Sequence, residues 1–162
     1  MKIFFKITLI LAIFCFPVNS EVIKEIKVSG NQRVSSETVK VFSGIKKNSD
    51  LSEFELNDIL KKLYATSYFK NVSLNIDKNI LYIIVEENPI IQTLSFVGVK
   101  NKRILETLND QIEMREKSSF IESKVKKDEQ KITNILRTNG FYFSKIISKL
   151  NFNENNTVDL IY

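Results

Sequence analysis

The feature of this sequence that most constrains its fold is an internal repeat with a period of about 70 residues. Residues 23–30 (Ile-Lys-Glu-Ile-Lys-Val-Ser-Gly) have a counterpart at 91–98 (Ile-Gln-Thr-Leu-Ser-Phe-Val-Gly), with apolar residues at matching positions and a closing glycine in each. Both glycines are succeeded by a predicted turn. A chain of this length that uses one unit twice is expected to form two small domains, each with its own core.

Each unit is predicted to begin with a strand and two helices. Ile26 and Val28 alternate with charged residues, which is the two-residue period of a half-buried strand. Apolar residues spaced three or four apart then predict two amphipathic helices per unit. The predicted apolar stripes of the four helices comprise Val34, Thr38, Val41, Phe42 and Ile45; Leu56, Ile59, Leu60 and Leu63; Ile104, Leu105, Leu108 and Ile112; and Val125, Ile132, Ile135 and Leu136.

Polar residues at the helix ends support the same boundaries. Ser35 and Asn101 are predicted N-caps of the first helix in each unit. The second helices are predicted to begin with a capping box, in which a serine and a glutamate three positions later bond each other's backbone. The two predicted boxes are Ser52 with Glu55 and Ser119 with Glu122, and Gly44 and Asn139-Gly140 are predicted helix ends.

Two strands close each unit as a hairpin. Residues 72–76 alternate apolar and polar side chains, whereas residues 80–85 are apolar on both faces. A strand that is apolar on both faces belongs inside a sheet, so 72–76 is predicted to be the edge strand. Residues 146–152 and 157–162 form the corresponding pair around the turn 153–156. The predicted fold class is α+β, with two helices packed on a three-stranded mixed sheet in each domain.

The first twenty residues have the pattern of a secretory signal peptide. Lys2 and Lys6 precede an apolar stretch that is too short for a comfortable membrane span, and cleavage is predicted between Ser20 and Glu21. An uncleaved anchor is the alternative. The predicted domains are therefore 1–20 (signal peptide), 21–90 and 91–162, with Pro89 at the seam. The second domain is expected to be truncated at its last strand, or else to end there naturally.

Composition excludes several kinds of chemistry. The chain has no histidine, and its one cysteine, Cys15, lies in the predicted signal peptide. Thiolate or imidazole catalysis and zinc binding therefore lose their usual residues, and we expect no cofactor, no metal and no enzymatic activity. Basic residues alternate with acidic ones, which favours a solvated helix face over nucleic-acid binding.

Three further groups of residues have a structural interpretation. Glu86 and Glu87 are neighbours on a strand and point to opposite faces, so they are interpreted as a solvated strand end rather than a catalytic pair. Asp128-Glu129 is interpreted as charge balance on a lysine-rich helix. Phe69 and the run 141–143 (Phe-Tyr-Phe) come directly after the second helices and are predicted to be core, with a peptide-binding patch as the alternative.

Several runs of residues resemble POTRA (polypeptide-transport-associated) domains of outer-membrane barrel-assembly proteins. Residues 26–39 resemble the start of the first such domain, and 63–72 resemble the exit of its second helix, where glycine is usual at the position of Ser67. Residues 85–90, together with 96–98, resemble the junction into the next domain, and 139–142 resemble the exit of that domain's second helix. The resemblance covers residues 21–162, and its specificity comes from the order and spacing of these runs together.

The resemblance implies a periplasmic scaffold of the barrel-assembly machinery. Such domains receive unfolded outer-membrane proteins and dock accessory lipoproteins, ahead of a membrane barrel that is not visible in this chain. Periplasmic chaperones are further candidate partners. Alternatives that keep the fold are a transporter for two-partner secretion or autotransporter assembly and an FtsQ-type cell-division protein. A small periplasmic enzyme is the alternative from another class.

An exposed strand edge is the expected client-binding site, because its unpaired backbone groups accept an extended chain of almost any sequence. The alternative is an ordinary protected edge, and lysines beside the second strand are of the kind that discourage pairing. The candidate edge residues are Val72, Ser73, Leu74, Asn75 and Ile76 in the first domain and Ile146, Ile147, Ser148, Lys149 and Leu150 in the second.

Overall fold

The structure is a computed structural model that describes residues 21–46 and 49–162. The predicted signal peptide 1–20, including Ser20 of the cleavage site, lies outside the described residues. The elements in chain order are β1 (Glu21–Val22), β2 (Glu25–Ser29), α1 (Ser36–Ser43), β3 (Asp50–Leu51), α2 (Glu53–Ala65), β4 (Phe69–Asp77), β5 (Ile80–Glu87), β6 (Ile90–Ser95), α3 (Lys102–Gln111), α4 (Glu122–Thr138), β7 (Lys149–Asn153) and β8 (Thr157–Ile161).

Two three-stranded mixed sheets confirm the predicted fold class. The strand orders are β2-β5-β4 and β6-β8-β7, so the last strand of each unit occupies the centre. The central strands β5 and β8 run parallel to the first strand and antiparallel to the third. The strand with apolar residues on both faces, β5, is therefore central as predicted, and β4 lies at the edge.

Each domain buries its own core between its sheet and its two helices. The stripe predicted for α1 is wrong in part, because Val39 and Ser43 are buried whereas Val41 is largely exposed. The fully buried side chains of the first core include Ile23, Val39, Leu63, Leu81 and Ile83, and those of the second include Ile91, Leu108, Ile132, Val158 and Leu160.

The helix starts agree with the predicted caps in three cases out of four. Ser35 and Asn101 are N-caps, and Ser52 with Glu55 forms the complete capping box. The box predicted at Ser119 is wrong, because α4 begins at Glu122 and its N-cap residue makes no side-chain cap. Ser119 instead forms an antiparallel bridge with Ile90, so its segment is paired with the start of β6.

The first strand of the repeat is interrupted in domain one. Residues 23 and 24 separate β1 from β2, and β1 pairs with β3 in a small two-stranded sheet that the sequence did not indicate. Ile23 is fully buried at the break, and its amide donates to the carbonyl of Ser49 at 3.0 Å. This short sheet therefore lies beside the first core and ties the start of the domain to the segment before α2.

The connection between the domains is held by a buried carboxylate. Glu87 accepts hydrogen bonds from the backbone amides of Gln32, Arg33 and Val34 at 2.8–2.9 Å and from Arg33 Nε at 2.9 Å. The interpretation of Glu87 as a solvated strand end is thus wrong. Burial acts to raise its pKa, but these hydrogen bonds outweigh burial and hold the pKa below its ordinary value. Glu86, its neighbour, is exposed as expected, and it forms an ion pair with Lys70 that was not predicted.

The residues after Glu87 are also fixed. The Asn88 amide donates to the carbonyl of Tyr68 at 2.8 Å, and the Asn88 side chain donates to the carbonyl of Ser67 at 3.0 Å. On the other side, Asn156 donates to the carbonyl of Glu87 at 3.3 Å. The seam around Pro89 is therefore bonded to both domains. Within the described ranges, no helix is long and apolar enough to cross a membrane.

Candidate functional site

The first candidate edge, Val72 to Ile76, lies in the outer strand of the first sheet. Val72, Leu74 and Ile76 are half-buried against the core, whereas Ser73 and Asn75 are exposed on the opposite face. These residues pair with β5 on one side only. Their side chains thus belong to the fold, and what they offer a partner is the backbone along the open side.

A tyrosine from helix α2 occupies one position of this edge. The amide of Val72 donates to Tyr64 Oη at 3.1 Å. That amide therefore points away from β5, and alternate residues of a strand share the same orientation. The next outward-facing backbone groups are those of Leu74 and Ile76, and no side chain of the described residues bonds these two amides. The edge of β4 is blocked at its start and open beyond it.

The second candidate edge is shorter than predicted. Strand β7 begins at Lys149, so only Lys149 and Leu150 of the five predicted residues lie in it, and Ile146, Ile147 and Ser148 precede it. Pairing with β8 begins at Lys149, opposite Ile161, and at the residue before it Glu129 of α4 accepts the Ser148 amide at 3.1 Å and the Ser148 hydroxyl at 2.6 Å. Prediction of a strand over 146–152 was therefore wrong for its first part.

The orientation of β7 can be derived from bonds made by the central strand. Tyr162 donates its amide to the carbonyl of Ser95 at 2.9 Å and accepts from the amide of Val97 at 2.8 Å, so its backbone faces β6. The neighbouring position, Ile161, faces β7 and pairs with Lys149. Lys149, Asn151 and Asn153 thus bond β8, which leaves the backbone groups of Leu150 and Phe152 on the outer side.

The two domains protect their edges in the same way. Val72 precedes Asp77, the last residue of β4, by the same number of residues as Ser148 precedes Asn153, the last residue of β7. In each case the second helix supplies a side-chain oxygen, from Tyr64 or from Glu129, to the outward amide. The sequence did not predict that Tyr64 or Glu129 would accept an outward backbone amide, because no sequence motif links either residue to the strand that it contacts.

A groove of about 790 Å³ runs along the edge of β7, between the domains. Leu150 and Phe152 line it, and the Phe152 ring packs edge-on against Phe120 with centroids 6.0 Å apart. Domain one contributes the end of α2 and the start of β4. The lining residues from these two elements and the turn between them are Tyr64, Ser67, Phe69 and Lys70, and Asn88 and Pro89 of the seam line the groove as well. An extended segment that paired with β7 would therefore contact both domains.

The acidic pair on α4 has structural roles rather than simple charge balance. Asp128 is fully buried and accepts the backbone amides of Glu113 and Met114 at 2.6 and 2.9 Å. Tyr162 Oη donates to it at 3.1 Å, and burial together with this carboxylate raises the pKa of Tyr162 well above its ordinary value. Asp128 fastens the segment after α3 to α4, and Glu129 fastens the segment before β7.

The predicted aromatic core is confirmed only in domain one. Phe69 is buried, whereas Phe141, Tyr142 and Phe143 are exposed, with Phe143 at 101% of its reference area. No group of three or more metal-ligating side chains that could hold an ion occurs in the part of the chain that the structure describes. The chemistry that this arrangement supports is backbone pairing and apolar contact.

Two family models match the chain in succession. The model described as "POTRA domain, FtsQ-type" matches residues 22–88, and that described as "Surface antigen variable number repeat" (POTRA) matches residues 89–162. Over 141 residues the chain is 30% identical to the outer membrane protein assembly factor BamA of Neorickettsia risticii (strain Illinois). That match covers 87% of this chain and 18% of that protein.

Solved structures show the same fold. The N-terminal domain of Omp85 from the cyanobacterium Thermosynechococcus elongatus superposes with a TM-score of 0.57 at 16% identity, over 86% of this chain and 61% of that one. POTRA1-2 of the periplasmic domain of Omp85 from Anabaena gives a TM-score of 0.53 at 13% identity, over 87% of this chain and 93% of that one.

Residues 22–162 are thus a tandem of two POTRA domains. More particularly, the chain is similar along both domains to the outer membrane protein assembly factor BamA. It spans less than a fifth of the length of its curated BamA relative.

Proposed function

We propose that this POTRA pair is a scaffold that receives unfolded outer-membrane proteins in the periplasm, as part of the machinery that assembles β-barrels. The observation that carries the proposal is the open backbone at Leu150 and Phe152 beside an apolar groove. Pairing through N–H and C=O groups gives affinity with little dependence on client sequence, which suits a receptor for many barrels. The outward groups of Leu74 and Ile76 offer a second, less enclosed edge.

The enclosure of β7 favours it as the principal site. A client strand there would lie along α4 and reach Phe69 and Lys70 of domain one. Because side chains alternate between the two faces of a strand, every second side chain of the client would face the groove, where apolar side chains would contact its lining. Tyr64 and Glu129 would set where pairing begins, because each occupies the outward amide just upstream of the open stretch.

Other partners rest on the resemblance to the barrel-assembly family alone. We propose accessory lipoproteins and periplasmic chaperones as partners of the same pair of domains. A scaffold role without catalysis fits a chain that has no histidine and a single cysteine within its first twenty residues. The FtsQ-type description of the first family model keeps a cell-division role as an alternative, and the BamA relative, which spans both domains, favours assembly.

The test is a proline substitution at the open edge. Phe152→Pro removes the outward amide of β7 without touching the ladder to β8, and Phe152→Ala is the matched control because it loses the same ring but keeps the amide. The ligand is a peptide of about ten residues from a membrane-barrel strand. Binding to the ¹⁵N-labelled protein is monitored by amide shifts at Leu150 and Phe152.

We expect the peptide to shift the amides of residues 150 and 152 in both the wild type and Phe152→Ala. Phe152→Pro is expected to bind about tenfold more weakly than Phe152→Ala, the equivalent of one lost hydrogen bond. Equal binding by the two variants, or shifts confined to residues outside both edges, would rule out pairing at β7.

A further inference from the structure

Two asparagine side chains bond the connection between the domains from opposite sides. Asn88 is 9% exposed, and its side-chain amide donates to the carbonyl of Ser67 at 3.0 Å, in the turn between α2 and β4. Asn156 lies in the turn between β7 and β8, and its side-chain amide donates to the carbonyl of Glu87 at 3.3 Å. The proposed function assigns no role to either side chain.

The backbone of this connection is bonded to one domain and then to the other. The amide of Asn88 donates to the carbonyl of Tyr68 in domain one at 2.8 Å. The amide of Ile90 donates to the carbonyl of Asn156 in domain two at 3.1 Å. Between them lies Pro89, which has no amide and keeps the preceding residue extended. The connection therefore has little freedom to bend.

The connection also reaches both walls of the β7 groove. The carbonyl of Pro89 accepts the amide of Phe120 at 2.8 Å, and the Phe120 ring packs edge-on against Phe152 of the open edge. On the domain-one side, the turn that Asn88 holds leads directly into the first two residues of β4, which line the groove. The same few bonds therefore fix how the two walls lie relative to each other.

We infer that Asn88 and Asn156 are positioning residues, whose side-chain bonds hold the two walls of the β7 groove in one orientation. The inference rests on the proposed function for its consequence, because a client paired with β7 contacts domain one only while this orientation is kept. Asn156 bonds the chain on both sides of Pro89, since its side chain reaches Glu87 and its carbonyl accepts the amide of Ile90. Asn88 fixes the path by which the chain leaves domain one.

Aspartate is the most informative substitution, because it keeps the size of asparagine but replaces the amide donor with an acceptor. It also tolerates the left-handed backbone of Asn156, whose φ is +54°. The variants are Asn88→Asp, Asn156→Asp and the combination of both. Asn109→Asp is the matched control, because the Asn109 side chain also donates to a backbone carbonyl, that of Leu105 at 3.0 Å, within α3 alone.

Residual dipolar couplings of the ¹⁵N-labelled protein report the orientation of each domain in a weakly aligning medium. The wild type and Asn109→Asp are expected to give a single alignment tensor for the amides of β5 and β8, because the two sheets then tumble as one body. The double variant is expected to give two tensors of different magnitude. Retained hydrogen-exchange protection of the same amides would show that each domain is folded, so that the couplings report orientation and not unfolding.

The barrel-strand peptide that tests pairing at β7 also reports the state of the groove. In the wild type it is expected to shift the amides of residues 69 and 70 in domain one as well as those of residues 150 and 152. In the double variant the shifts at 150 and 152 are expected to remain and those at 69 and 70 to disappear. The affinity is expected to fall about fivefold, as for the loss of one contact.

A single tensor with the wild-type orientation in the double variant would overturn the inference. Two tensors in the wild type would do the same, as would a double variant in which the tensors separate but the peptide still shifts residues 69 and 70. The couplings are measured without peptide. A peptide that fails to shift residues 150 and 152 in the wild type would therefore refute pairing at β7, while the tensors would still decide whether the asparagines hold the domains.

Discussion

The internal repeat provides a matched pair of glycines for testing how the two domains are packed. Gly30 and Gly98 occupy the same place after the first strand of each unit, and both have positive φ, +82° and +91°. A Cβ on Gly30 would lie 2.1 Å from the carbonyl oxygen of Val85, whereas a Cβ on Gly98 would meet nothing within 4 Å. Alanine therefore encounters a backbone clash at one position and only conformational strain at the other.

The magnitudes can be worked out from these two terms. An alanine at positive φ costs roughly 1–2 kcal/mol, which is the whole expected effect of Gly98→Ala. Gly30→Ala adds the displacement of Val85, which lies in the central strand β5 and is hydrogen-bonded within the sheet. Overpacking of this kind adds about 2 kcal/mol, so the expected total is about 3–4 kcal/mol.

Native-state hydrogen exchange separates the two domains in one experiment. Buried amides of β5 are expected to lose protection by about 200- to 1000-fold in Gly30→Ala, and those of β8 by about 5- to 30-fold in Gly98→Ala. Each variant leaves the other domain as an internal control. Equal losses in the two variants would show that the tight approach of residue 30 to Val85 does not exist in solution.

Two further changes test the helix exit and the domain connection. Ser67 has φ +64°, so Ser67→Gly is expected to stabilise domain one by about 1 kcal/mol in urea unfolding, whereas Ser67→Ala gains nothing; a loss on Ser67→Gly would contradict this. Glu87→Ala is expected to cost about 3 kcal/mol, since Arg33 and three amides lose their acceptor. Because the folded-state pKa of Glu87 lies below its ordinary 4.5, its stabilisation is complete above pH 4.5 and lost as the pH falls through the folded-state value. Glu87→Gln should remove that part of the acid dependence, and an unchanged pH profile would argue against the clamp.

Much of the fold was predictable because the signals are local. The alternation of residues 72–76 and the doubly apolar run 80–85 predicted an edge and a central strand, and the structure confirms both. Ser35, Ser52 and Asn101 cap helices as predicted, since a cap depends on residues within one turn. The repeat itself indicated two cores, because the same buried pattern occurs twice.

The errors have a common cause in contacts between distant segments. Ser119 has the sequence of a capping box, but pairing of its segment with Ile90 delays the helix. Glu87 and Asp128 were interpreted as solvated charges, and each is buried because backbone amides remote in sequence converge on it. Single-sequence patterns report the residue type and its spacing, but they do not contain the position of those amides.

The candidate site, too, was predicted from the sequence only in part. The sequence by itself determined that each domain has an edge strand and placed 72–76 on it, since the two-residue period fixes which face is buried. Only the tertiary structure decided which backbone groups of the edges stay open, because Tyr64 and Glu129 reach Val72 and Ser148 from a helix packed on the sheet. It also decided that the groove beside β7 is completed by the other domain, since that depends on how the seam at Glu87 and Asn88 is bonded.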